Sequence, residues 1–140
     1  MKTTLRVAVL FLTASVLAAA LPAYAHHSFA AEYDASKPVK LTGKVTKVEW
    51  TNPHIFIYID VPDEKTGAVV SWALELGAPN ALMRLGWKRD SLKVDDVVIV
   101  DGTLAKDRAN LANATTIVLQ ATGQRMLAGS SGSHQPADKP

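Results

Sequence analysis

The chain contains no cysteine. That single absence excludes a disulfide framework, a lipid-anchored N-terminus and a cysteine nucleophile. Other catalytic signatures are missing too: no Gly-x-Ser-x-Gly elbow, no phosphate-cradling glycine loop and no His-Glu-x-x-His pair. Asp95 and Asp96 are adjacent acids, but they stand where a turn leads into a strand, and turn chemistry accounts for them. The expectation is a protein that is not an enzyme.

An apolar run long enough to stay in a membrane is also lacking. The longest, residues 7–20, falls short of the roughly 20 apolar residues of a spanning helix. Its surroundings point elsewhere. Lys2 and Arg6 precede it, and Leu21-Pro22-Ala23-Tyr24-Ala25 supplies a helix breaker followed by small residues at −3 and −1, the three-part pattern of a secretory leader. Residues 1–25 are therefore expected to be a cleavable signal peptide, the mature protein starting at His26. It is expected to be periplasmic or secreted and not membrane-anchored after cleavage.

A basic excess is the third thing missing. The chain has 15 Lys+Arg against 13 Asp+Glu, and loss of Lys2 and Arg6 with the leader leaves the mature chain balanced. Without surplus positive charge, the phosphate-neutralising term behind nonspecific nucleic-acid binding is absent, so no nucleic-acid partner is expected. Roughly 115 residues remain, enough for one domain with one core. Trp50, Trp72 and Trp87 are its largest apolar pieces.

The stretch 41–61 organises what is there. Leu41, Gly43 and Val45 share one strand face. Val48 and Trp50 continue it only if one residue is inserted near Thr46-Lys47, which predicts a β-bulge and a bend. After a corner at Thr51-Asn52-Pro53-His54, Ile55, Ile57, Ile59 and Val61 alternate with Phe56, Tyr58 and Asp60, as in a half-buried strand. Residues 62–67 read as a polar hairpin turn, and residues 69–76 as a third strand with Val70, Trp72, Leu74 and Leu76 facing the core. Residues 78–87 read as a short helix, with Pro79 in its first turn and Gly86 as its C-terminal cap. Residues 97–104 form a fourth strand, with Gly102 where a barrel corner needs one. Residues 106–113 read as a polar connection and 114–122 as a fifth strand. The fold class predicted is all-β: a five-stranded OB-fold-like Greek-key barrel with one short helix between strands three and four. The barrel domain spans residues 41–127, preceded by an N-terminal arm over 26–40 and followed by a disordered tail over 128–140.

Several segments together resemble a family of small exported bacterial proteins catalogued as a domain of unknown function. They are the mature opening His26-His27-Ser28-Phe29-Ala30-Ala31-Glu32-Tyr33-Asp34, the segments Gly43-Lys44-Val45 and Glu49-Trp50-Thr51-Asn52-Pro53-His54, the Gly77-to-Trp87 block, and Gly129-Ser130-Ser131-Gly132. The resemblance runs over nearly the whole mature chain. It implies export and a single small β-domain, and it implies no activity.

The histidines carry the most informative chemistry. Cleavage after Ala25 makes His26 the first residue, so its α-amine and imidazole can chelate one ion together. A third nitrogen can come from His27 or from His54 in the strand corner. The set resembles the histidine brace of exported copper proteins, and imidazole suits copper, which tops the affinity order of the divalent metals. A metal site at His26, His27 and His54 holding copper is the leading expectation. The plainer alternative is a solvated terminus and a His54 that hydrogen-bonds its own turn; His134 belongs to the tail. Glu32, Asp34, Glu49 and Glu75 are candidate carboxylate partners for an imidazole, with surface positions as the simpler reading. Trp50, Phe56 and Tyr58 suggest an outer aromatic face, the basis of the alternative function: a metal-free periplasmic interaction domain engaging a protein or envelope component.

Overall fold

The computed structural model describes residues 29–129. The expected leader, His26, His27 and His134 lie outside the described residues. A one-turn helix α1 (Phe29–Glu32) runs into β1 (Tyr33–Glu49), followed by β2 (Phe56–Pro62), β3 (Val69–Glu75), α2 (Pro79–Arg84), β4 (Val97–Ala105), β5 (Leu111–Leu119) and β6 (Gln124–Leu127). None of these helices is long and apolar enough to cross a membrane.

The strands close on themselves. β1 pairs antiparallel with β4 along its first part and with β2 along its second. β2 pairs with β3, and β4 with β5. Three parallel pairs, Ala73 with Leu111, Leu74 with Ala112 and Glu75 with Asn113, join β3 to β5 and complete the ring. With α2 between β3 and β4, this is the all-β barrel expected. One strand serves two neighbours because β1 has 17 residues and bends; its register against β2 shifts between Val45 and Lys47, where the sequence calls for a bulge.

The alternation in β2 points Ile57 and Ile59 into the barrel, where they meet Val45, Leu74, Val98, Val100 and Ile117, all at most 1 % exposed. Burying each such side chain contributes about 1.5–3 kcal/mol, so this ring of aliphatics is the main source of stability in a chain without cross-links. Strands approach closely where side chains are withheld. A Cβ on Gly43 would stand 2.7 Å from the Asp60 carbonyl oxygen, and one on Gly102 2.5 Å from that of Asn113. The β4–β5 register also shifts at Asp101/Gly102, as a barrel corner requires.

α2 ends in a Schellman turn. Gly86 has φ of 93° and donates to the Met83 carbonyl, while the Trp87 amide reaches back to that of Leu82. This delivers Trp87 into the core, where its indole N–H donates to the Leu127 carbonyl at 2.7 Å.

The structure differs from the expectation at the strand ends. Among the described residues there are six strands rather than five, β6 returning antiparallel along β5 after a turn at Gly123, whose φ is 71°. β5 starts at Leu111, not residue 114: the residues read as a polar connection include its parallel pairs with β3, whose partners are far off in sequence. β1 starts at Tyr33, so residues 33–40 of the expected arm belong to the sheet. Ala128, assigned to the tail, is fully buried, and its backbone bonds Gly77 and Thr115.

Candidate functional site

The corner before β2 sets the position of His54. The Thr51 hydroxyl donates to the His54 carbonyl at 3.3 Å. On the far side, the Ile55 amide donates to the Gly77 carbonyl at 3.2 Å and the Leu76 amide to that of Ile55 at 2.8 Å. These bonds lay the corner against the end of β3, whose last residue is Glu75. The His54 ring then has a partner well beyond its own turn: its Nδ1 lies 2.5 Å from Glu75 Oε1. The other oxygen, Oε2, accepts a short hydrogen bond from the Tyr33 hydroxyl.

Glu75 therefore joins two segments that the sequence keeps far apart, the first residue of β1 and the corner leading into β2. Its alternation with Leu74 and Leu76 turns it away from the barrel interior, as expected, yet it is only 7 % exposed rather than a surface group. A buried carboxylate needs each oxygen satisfied, and here both are. With Nδ1–H donating to Glu75, the neutral His54 ring keeps its lone pair on Nε2. The His54 side chain is about one-third exposed.

Burial raises the Tyr33 phenol well above the ordinary tyrosine range. The Glu75 hydrogen bond and charge add to this, as does the charge of Glu32, while Arg108 opposes it. An acid whose folded pKa is raised holds its proton more tightly folded than unfolded. Its stabilising contribution is complete below the unfolded value near 10 and is lost as pH rises beyond it. Wild-type stability is accordingly expected to fall with pH above about 10, and Tyr33→Phe to show a shallower fall. Urea unfolding across the alkaline range checks this; equal slopes would refute it.

Beside His54 opens a cleft of about 490 Å³. Phe56 and Tyr58 from β2, Ala73 from β3, Leu111 at the start of β5, and Arg108 and Asn110 in the loop before it line it together with Glu49 and His54. The Tyr58 hydroxyl donates to Glu49 Oε2 at 2.9 Å, and Glu49 also pairs with Lys47, whose ammonium lies 5.3 Å from the centre of the Tyr58 ring. The hydrogen bonds from Lys47 and then Tyr58 hold the Glu49 carboxyl below its usual range.

Among the candidate carboxylates, then, Glu75 binds a histidine and Glu49 binds Lys47 and Tyr58 instead. Asp34 accepts from the Ser36 hydroxyl at 2.6 Å, and the Glu32 carbonyl accepts from the Lys106 amide at 2.9 Å. Asp96 accepts from the Lys93 amide at 2.8 Å, and Asp95 takes a φ of 74°, so turn chemistry does explain that acidic pair. The expected aromatic face is only partly assembled. Phe56 and Tyr58 share the cleft, but Trp50 packs against the core with the Arg89 guanidinium 5.9 Å from its ring. Being past the bulge returns Trp50 to the inward face.

Two residues escaped the sequence reading. Tyr33 stacks on Phe29 with ring centres 5.3 Å apart; its bond to Glu75, 42 positions away, leaves no local trace in the sequence. Asn113, taken for part of a polar loop, is 1 % exposed, and neither its side-chain oxygen nor its nitrogen has a hydrogen-bond partner. Each such orphan costs about 1–3 kcal/mol. It lies in register with Glu75, in the same buried polar row.

No cluster of three or more histidine, aspartate or glutamate side chains able to hold a metal occurs among the described residues. His54 is the one expected ligand that falls within them; His26 and His27 do not. A comparison with curated proteins finds no match. The model of a family of unknown function, DUF6152, matches residues 13–113, most of the barrel included, and the chain belongs to that family.

Proposed function

We propose that this is an exported metal-binding protein whose ion is copper, held by the α-amine and imidazole of His26 together with a nitrogen from His54 or His27. The observation supporting this reading is the Glu75 bridge. A carboxylate that takes the Nδ1–H of a histidine fixes its tautomer and makes Nε2 a better donor, the arrangement common behind metal-bound imidazoles. The same carboxylate holds Tyr33, which follows His26 by seven positions. Even a fully extended tether of that length reaches only about 25 Å. The seven-residue spacing to Tyr33 bounds how far His26 can lie from His54, which supports a raised effective concentration there.

The test uses protein exported and processed by its own leader, with mass spectrometry fixing the first residue as His26. Calorimetric titration with Cu(II) is expected to give one tight site, weakened at least tenfold in His26→Ala and in His54→Ala. Equal affinity in wild type and both variants would overturn the proposal. A tag or methionine ahead of His26 removes the chelating amine and makes the comparison void.

A further inference from the structure

The cleft next to His54 carries an inference that does not depend on a metal. We propose that it binds a small planar organic monoanion, an aromatic carboxylate, with the ring against Phe56 and Tyr58 and the carboxylate on Arg108.

The strand order gives the cleft its polarity. Glu49 ends β1, Phe56 and Tyr58 lie on β2, Ala73 on β3, Leu111 opens β5 and Arg108 stands in the loop before it, so one wall is acidic, the floor is aromatic and aliphatic, and the opposite wall is cationic. The two charged walls are not equivalent. Glu49 is already neutralised by Lys47 and engaged by the Tyr58 hydroxyl. Arg108 forms no salt bridge among the described residues, and it lines the cleft together with His54, Phe56 and Tyr58. The cleft therefore offers one uncommitted cation.

A guanidinium fork matches a carboxylate bidentately, and a planar ring matches the aromatic floor. The volume of about 490 Å³ lies within the range of small-ligand sites and is ample for a single ring with one substituent. Arg108 is the uncommitted cation that the described lining presents, so it balances one carboxylate and leaves a second unbalanced, which limits the ligand to a monoanion.

The experiment titrates processed, chelator-treated protein, ¹⁵N-labelled, with benzoate and separately with benzamide, its neutral analogue of the same shape. Benzoate is expected to produce saturable amide shifts at Phe56, Tyr58, Ala109 and Asn110, benzamide to bind at least tenfold more weakly, and Arg108→Gln to lose at least tenfold toward benzoate. Arg108 is exposed, so the variant keeps the fold, which an otherwise unchanged spectrum verifies. Equal binding of the two probes, an unaffected Arg108→Gln variant, or shifts absent from the cleft would each overturn the proposal. Because no metal is present, none of these outcomes bears on the copper site.

Discussion

Replacing Trp87 by alanine is expected to destabilise the protein by about 3–5 kcal/mol, the range for deleting a large buried aromatic. The indole is 4 % exposed and belongs to the core cluster. Its position follows from a short chain of causes: Gly86 adopts the left-handed conformation that ends α2, the turn reverses direction, and the next residue is carried inward over Leu82. Its Nε1–H then satisfies the Leu127 carbonyl in β6. Trp87→Phe keeps most of the ring burial and removes that bond, so it should cost nearer 1 kcal/mol plus a small cavity. Urea midpoints at constant slope measure both. A loss under about 1 kcal/mol in the alanine variant would mean that α2 is an appendage and not part of the core. The consequence reaches the site, since α2 follows directly on Glu75, Leu76 and Gly77, and the Gly77 amide is held by the Ala128 carbonyl at 2.8 Å.

The features legible in the sequence are those with a short period. Alternation in β2, the slip at Thr46-Lys47 and the Pro79-to-Gly86 frame of α2 all depend on neighbours within a few positions, and each has its counterpart in the structure. What escaped depends on partners distant in the chain. Leu111 to Asn113 look polar and loop-like because their pairing with Ala73 to Glu75 is parallel and nonlocal. Trp50 fits both the inward face that the bulge continues and an outer aromatic face with Phe56 and Tyr58, and its packing against the core selects the first. Glu75 illustrates both sides: alternation correctly turned it out of the barrel, but alternation cannot say that Tyr33 meets it there. An outward residue is exposed only if nothing else covers it, and the N-terminal end of β1 runs over that face.

The Glu75→Gln variant is expected to bind copper 10- to 100-fold more weakly than wild type while remaining folded. The substitution preserves shape but replaces two acceptor oxygens with one acceptor and one donor. If the amide oxygen keeps the Tyr33 hydroxyl, the amide nitrogen faces His54 Nδ1, which must then accept; the ring proton moves to Nε2 and the lone pair needed for the metal is gone. The opposite orientation leaves the Tyr33 proton buried without an acceptor, at about 1–3 kcal/mol, so the first is preferred. Glu75 acts here as a positioning residue, through His54 and not on the ion. A readout independent of affinity follows: in the metal-free protein, the ¹⁵N shifts of the His54 ring should exchange their protonated and unprotonated assignments between wild type and Glu75→Gln. Unchanged copper affinity alongside a reversed tautomer would show that His54 does not ligate. An unreversed tautomer would show that the short contact between Nδ1 and Oε1 does not set the ring's protonation, and the case for a prepared imidazole would fall with it.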